Sequence, residues 1–114
     1  LWMTTSLRGL ANGKLSIEVL KQGIHSGSGS GIAPSCFRIL RQVINRVENE
    51  MTGDVTLSEL HTDIPERRSE QAERAAAVLG ASIYDDLPFA DNTQPESNSV
   101  AELILRRTWK PALS

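Results

Sequence analysis

The sequence predicts a small α+β domain in which a short antiparallel sheet carries two or three helices packed on one side. Three observations predict this fold class: apolar and polar residues alternate early in the chain, a helical apolar pattern follows a glycine-rich loop, and two later segments carry helix start and stop signals. One clear strand and one weak strand do not make a stable sheet. The sheet is therefore expected to be incomplete in this chain of 114 residues, and to be completed by segments outside it or by a second copy.

The first predicted element is a half-buried strand over Leu7–Leu20. One face of an extended chain there is apolar or small, whereas the other face carries mainly polar side chains. Small residues in the first half of the apolar face would let another backbone come close. The apolar face comprises Leu7, Gly9, Ala11, Gly13, Leu15, Ile17 and Val19.

The second predicted element is an amphipathic helix from roughly Pro34 to Asn49. Proline suits a first helical turn because it has no N–H group to leave unpaired. Apolar residues recur there at spacings of three and four, which is the period of one helix face. The apolar stripe comprises Phe37, Leu40, Val43, Ile44, Val47 and Met51.

A turn and a weak second strand follow this helix. The pair Gly53-Asp54 is typical of a turn. Val55 and Leu57 then alternate with polar residues, and this predicts a short strand.

Two further helices are predicted in the second half of the chain. The first spans residues 63–79, with Asp63 as its N-terminal cap and Gly80 as its stop. The second opens at Ser99 with Glu102 three residues later, which is the pattern of a capping box. The apolar stripe of the first of these helices is narrow, so it is expected either to pack closely along a thin seam or to lie at the periphery; it comprises Ala72, Ala75, Ala76 and Leu79.

Composition excludes several classes of function. Aromatic residues make up 4% of the chain and the net charge is −2, so neither a base-stacking platform nor a basic surface for nucleic acid is expected. No apolar run reaches the length of a membrane span. Cys36 is the single cysteine, which excludes an internal disulfide framework and favours a reducing, cytoplasmic location.

The stretch "GIHSGSGSG" at residues 23–31 carries the candidate functional residue, His25. A polar surface histidine without a function is the simplest interpretation. The glycines could instead aim N–H groups at an anion, although the pattern is neither G-x-x-x-x-G-K-[ST] nor G-x-G-x-x-G. In a third interpretation the glycines let the loop turn sharply, Ser26 or neighbouring amides fix its path, and Ile24 anchors it in the core. The imidazole would then be free to donate to a substrate carbonyl or oxyanion.

A metal site is not expected in this chain. Zinc takes three or four ligands from histidine, cysteine and carboxylates, whereas the chain has two histidines and one cysteine without metal-ligand spacing. His61 is interpreted as structural or exposed, and no catalytic triad is legible.

The stretch "TTSLRGLANGKLSIEVLKQGIHSGSGSGIAPSCFRILRQVI" resembles the lid, or dimerisation, domain of the M20 family of zinc metallopeptidases. That family includes carnosinase-like dipeptidases, aminoacylases and succinyl-diaminopimelate desuccinylases. The matching features are the opening S-L-R-G at residues 6–9, a long strand, H-S-G at residues 25–27, a glycine-rich loop and a proline-started helix. The end of the chain, "RRTWKPALS", resembles the place where carnosinase-like members leave the lid insertion.

The resemblance implies that residues 1–114 are a single lid and dimerisation domain of α+β fold, cut from a larger two-domain enzyme. It implies a homodimer in which His25 contacts the substrate carbonyl in the partner subunit's active site. Ser26 and Gly27 would belong to the same substrate-binding loop. The substrates of the full-length protein would be peptides or acyl-amino acids.

The resemblance also implies that two zinc ions are held by a catalytic domain absent from this chain. No cofactor or metal is therefore expected here, and the isolated chain is predicted to be inactive. Two alternatives remain: a stand-alone homodimerisation module without a link to catalysis, and a small anion-binding domain that uses the glycine-rich loop.

Overall fold

The computed structural model describes residues 6–114. Within them lie four α-helices: α1 (Ser26–Gly29), α2 (Cys36–Ile44), α3 (Glu66–Leu79) and α4 (Val100–Thr108). Two 3-10 turns, Ser58–Leu60 and Gly80–Ile83, complete the regular structure. The chain divides into two compact units: unit 1 contains residues 6–9 and Glu59–Ala112, and unit 2 contains Leu10–Ser58 and Leu113–Ser114.

The predicted α+β fold class with an antiparallel sheet is wrong. Helices make up nearly all of the regular structure in the described residues, and the pairing of strands amounts to one isolated antiparallel bridge between Glu48 and Val55. The weak strand predicted at Val55 and Leu57 is reduced to one side of this bridge.

The strand predicted over Leu7–Leu20 does not form because it has no neighbour. Residues 10–24 make no backbone hydrogen bond to another described residue. A strand satisfies its N–H and C=O groups only across a ladder, whereas a helix satisfies them within itself. Much of the predicted apolar face is correspondingly exposed, with Leu7 at 82% and Leu15 at 53% of their full accessibility, while Ile17 and Val19 are half-buried.

In unit 2, the predicted amphipathic helix is confirmed as α2, although it is shorter than expected. Ser35 is its N-cap, and the Ser35 hydroxyl accepts a hydrogen bond from the Arg38 N–H at 3.3 Å. Pro34 therefore precedes the cap and does not lie in the first turn. The helix ends at Ile44, after which the Asn45 N–H donates back to the carbonyls of Arg41 and Val43.

The turn predicted at Gly53-Asp54 is confirmed, and it closes a tight hairpin-like loop in unit 2. The Asn49 side chain accepts hydrogen bonds from the N–H groups of Met51 and Thr52 at 2.9 and 3.2 Å. Gly53 has a φ of 69°, a conformation that glycine adopts without steric cost. Val55 follows the turn and is 6% exposed, so the loop folds back over the one buried side chain of this unit.

In unit 1, the predicted third helix is confirmed as α3. Its predicted cap, Asp63, is wrong: Pro65 occupies the N-cap and makes no side-chain hydrogen bond there. The predicted stop is correct, since Gly80 ends the helix with a φ of 51° and its N–H bonds to the Ala76 carbonyl.

The core of unit 1 lies where α3 packs against α4 and against the Gly80–Ile83 turn. Ala72 on α3 is 3% exposed, and Ala75, Ala76 and Leu79 continue its face with half-buried side chains. Of the two packings expected from the alanine stripe, the close packing along a thin seam is the one observed.

The start of α4 is set by Ser99, as the sequence predicts. The Ser99 hydroxyl accepts a hydrogen bond from the Glu102 N–H at 3.3 Å. The Glu102 carboxylate does not complete a capping box. It turns instead along the helix and binds Arg106 Nε at 3.0 Å and Lys110 Nζ at 2.6 Å.

Replacing the α4 cap should weaken unit 1. We expect Ser99→Ala to lower the free energy of unfolding by about 1 kcal/mol, because an orphan N–H at the helix start loses its acceptor. Urea denaturation followed by circular dichroism measures the change. Asn98→Ala is the matched control, since the Asn98 side chain is exposed and makes no hydrogen bond to a described residue; equal effects of the two substitutions would contradict the capping role.

Candidate functional site

His25 lies at the start of a series of turns that leads from the irregular segment at residues 10–24 into α2. It is the N-cap of the short helix α1, with extended backbone at φ −62° and ψ 131°. Its carbonyl accepts a hydrogen bond from the Ser28 N–H at 3.0 Å, and the Ser26 carbonyl accepts one from the Ser30 N–H at 2.9 Å. The glycine-rich run is therefore a folded turn and not a flexible linker.

The imidazole of His25 is held by the backbone. Its Nδ1 atom accepts a hydrogen bond from the Gly27 N–H at 3.1 Å. An accepting ring nitrogen carries no proton, so this contact selects the neutral tautomer with its hydrogen on Nε2. Because the His25 side chain is exposed, Nε2–H is a single donor that faces away from its own loop.

Gly27 and Gly29 allow this arrangement by lacking side chains. A Cβ at position 27 would lie 3.0 Å from both Cε1 and Nδ1 of His25. A Cβ at position 29 would lie 2.7 Å from Cδ1 of Ile24. The ring of His25 and the end of Ile24 thus both pack over backbone that only glycine leaves open.

The amides of the glycine-rich loop are largely used within the loop. Five of them, on Gly27, Ser28, Ser30, Ile32 and Ala33, donate to acceptors between His25 and Gly29. An anion cradle needs several N–H groups that point together at an outside ligand. This loop instead turns its donors inward, and its outward donor is the imidazole.

The three predicted site residues lie together on this exposed turn. His25, Ser26 and Gly27 are all exposed, and Gly27 is the residue that binds the imidazole. The Ser26 hydroxyl makes no hydrogen bond to a described residue, so it does not fix the path of the loop. The predicted role of Ile24 as a core anchor is wrong, because Ile24 is 50% exposed and packs locally over Gly29.

The remaining candidates are separate features. His61 is exposed and follows the Ser58–Leu60 turn in unit 1. Cys36 is a half-buried free thiol at the first position of α2. Among residues 6–114, no group of three or more histidine, cysteine, aspartate or glutamate side chains is arranged to hold a metal ion.

Among the contacts that were not predicted from the sequence, two concern the candidate site and the end of α4. One is the hydrogen bond from the Gly27 N–H to the His25 side chain. A glycine two residues after a histidine is only a weak sequence signal for such a bond. The other joins Arg8 to the end of α4, across about a hundred residues of sequence and with no local pattern to announce it.

Comparison of the chain with protein-family models and with curated proteins gives no match. In the part of the chain that the structure describes, none of the helices has the length and apolar character needed to cross a membrane.

A side chain at position 27 should release the His25 ring. We expect Gly27→Ala to displace the imidazole, break the bond to Nδ1 and populate both neutral tautomers. The nitrogen-15 chemical shifts of the two ring nitrogens measure this directly. Gly23→Ala is the matched control because a Cβ at position 23 meets no atom within 4 Å; ring shifts that are unchanged by Gly27→Ala would contradict the predicted tautomer selection.

Proposed function

We propose that this chain is the lid and dimerisation segment of an M20-type zinc metallopeptidase or amidohydrolase. In this proposal His25 donates a hydrogen bond to the substrate carbonyl in the active site of the partner subunit. The observation that carries the proposal is the bond from the Gly27 N–H to Nδ1 of His25, which leaves Nε2–H as an exposed donor.

The chemistry asked of His25 is the stabilisation of negative charge. When a nucleophile attacks an amide carbonyl, charge develops on its oxygen, and a fixed donor lowers the energy of that state. A ring oriented by its own backbone loses little freedom when it meets the substrate. Ser26 and Gly27 would form the rest of the loop that approaches a peptide or acyl-amino acid.

The proposed metal ions belong to another part of the enzyme. No group of three or more histidine, cysteine, aspartate or glutamate side chains among residues 6–114 could hold a metal ion, and the proposal places both zinc ions in the catalytic domain. It would supply the donor and the contact surface, while hydrolysis would need the catalytic domain. A cytoplasmic location is part of the proposal, and it is supported by the single cysteine.

A second copy of the chain is the proposed partner because much apolar surface is uncovered. Fourteen large apolar side chains of the described residues are 39% or more exposed. Unit 2 contributes prominently, with Leu10 at 89% and Phe37 at 76% exposure. Surfaces of this kind mark sites of protein association.

The same surface supports a second candidate function, a homodimerisation module that has no link to catalysis. The two candidates differ in whether His25 is needed for the activity of a parent enzyme. Both candidates predict that the chain self-associates, so a measurement of self-association tests both of them together.

Removal of His25 should slow catalysis in the full-length enzyme. We expect His25→Ala to lower kcat by roughly a hundred- to a thousandfold with little change in KM, because the lost donor acts mainly on the transition state. Steady-state kinetics on a variant with an intact dimer measure this, and His61→Ala is the matched histidine control. Normal kcat in an intact His25→Ala dimer would contradict the catalytic role of His25 and would favour the homodimerisation module.

A mixed dimer tests whether His25 acts across the subunit interface. One subunit lacks His25 and the other lacks a zinc ligand of the catalytic domain. Recovery of activity on mixing supports action in the partner's site. A confirmed mixed dimer without activity contradicts it.

Self-association should depend on the exposed apolar residues of unit 2. We expect Leu10→Glu to raise the dimer dissociation constant by about tenfold to a hundredfold, since burying a leucine contributes roughly 1.5–3 kcal/mol. Sedimentation equilibrium of the chain measures this constant. Val78→Glu, on the exposed face of α3, is the matched control; a strictly monomeric wild-type chain at high concentration would contradict self-association.

A further inference from the structure

Arg8 makes the longest-range hydrogen bonds of its segment. Its Nη1 atom donates to the Arg106 carbonyl at 3.2 Å and to the Lys110 carbonyl at 3.0 Å. All three residues lie in unit 1. One terminal nitrogen of a guanidinium carries two hydrogens, so it can satisfy both carbonyls at once.

These two carbonyls are natural targets for a cation. The last carbonyls of a helix have no amide ahead of them, and the C-terminal end of the helix carries partial negative charge. At the end of α4, the Leu105 carbonyl already accepts from the N–H groups of Trp109 and Lys110. Arg8 binds the next carbonyl along and one beyond the helix, and it thereby acts as a C-terminal cap from outside the helix.

The charges near the end of α4 leave room for the guanidinium of Arg8 beside the cations of Arg106 and Lys110. The side chains of Arg106 and Lys110 both bind the Glu102 carboxylate. Their positive charges are therefore partly neutralised on one side, while their carbonyls face Arg8. Glu102 thus supplies negative charge beside the cations of Arg106 and Lys110 at this helix end.

We infer that Arg8 is a positioning residue that clasps the two connections between this domain and the rest of its enzyme. The inference rests on the proposed function, in which the S-L-R-G segment leads into the lid and the segment after α4 leads out of it. Arg8 lies in the first segment and binds the second. The Arg8 clasp, meaning Arg8 with the Arg106 and Lys110 carbonyls, makes the two connections move as a pair.

A clasped pair restrains a domain more than a single tether does. Two connections that are free of each other allow the domain to twist about either one. Two connections bonded together act as one short hinge, which leaves fewer orientations for the lid and therefore for any group it presents to an active site.

The clasp can be tested in the chain itself by paramagnetic relaxation. A nitroxide is attached at Ala112→Cys in a Cys36→Ser background, and the amide signals of Leu7 and Gly9 are followed by NMR. We expect strong broadening of both signals in the otherwise unchanged chain. Arg8→Ala should restore their intensity, and Arg8→Lys should keep most of the broadening because an ammonium also donates several hydrogen bonds.

The matched control is Arg67→Ala, since Arg67 is an exposed arginine of the same unit that makes no hydrogen bond to a described residue. It should leave the broadening unchanged. Broadening that persists in Arg8→Ala, or that is absent before any change at Arg8, overturns the clasp.

Kinetics of the full-length enzyme test the positioning role. Arg8→Ala should lower kcat by up to about a hundredfold while zinc content and dimerisation stay normal, since small displacements of a donor reduce the rate steeply. Arg8→Lys should recover part of the loss. Unchanged kcat despite a lost clasp overturns the positioning role. If His25→Ala leaves kcat normal, the proposed function fails instead, and the relaxation result still decides whether the clasp exists.

Discussion

Backbone hydrogen bonding is the constraint on which both units of this chain depend. In α3 and α4 the N–H and C=O groups pair within the helix, and the two helices pack along a seam that includes Ala72, Ala75 and Ala76. In residues 10–24 the same groups find no partner among the described residues. Water satisfies exposed backbone at no great cost, so this segment stays without regular structure and its leucines are largely uncovered. The need to satisfy backbone N–H and C=O groups thus accounts both for the helices of unit 1 and for the unpaired segment at residues 10–24.

The chemistry available to the chain is directed outward. The loop at His25 uses most of its amides internally and leaves one imidazole donor facing away. Several large apolar side chains of unit 2, such as Leu10 and Phe37, are likewise largely exposed. Neither feature has a use within the chain, since a lone donor needs an acceptor and uncovered leucines need a surface. Both therefore point to a second molecule, which is the basis of the proposed lid and dimerisation role.

Sequence patterns predicted those elements whose signals are local. The helix cap at Ser99 and the stop at Gly80 depend on residues within one turn, and both are found as predicted. Asp63 failed as a cap because the helix begins two residues later, after Pro65. The strand failed for a different reason, since alternation shows that a segment could pair but not that a partner exists. The contacts of Arg8 and of the Gly27 amide depend on the folded geometry, so they cannot be predicted from the spacing of residues in the sequence.

The two kinds of bond at the end of α4 respond differently to ionic strength. Glu102 holds Arg106 and Lys110 through ion pairs whose side chains remain 28% to 38% exposed, and mobile ions weaken such pairs. Arg8 binds neutral carbonyls by directional contacts, which salt screens less. In concentrated salt the side chains of α4 would therefore loosen while its link to Arg8 persists. Ionic strength therefore acts mainly on the ion pairs of Glu102 and less on the contacts of Arg8 at the same helix end.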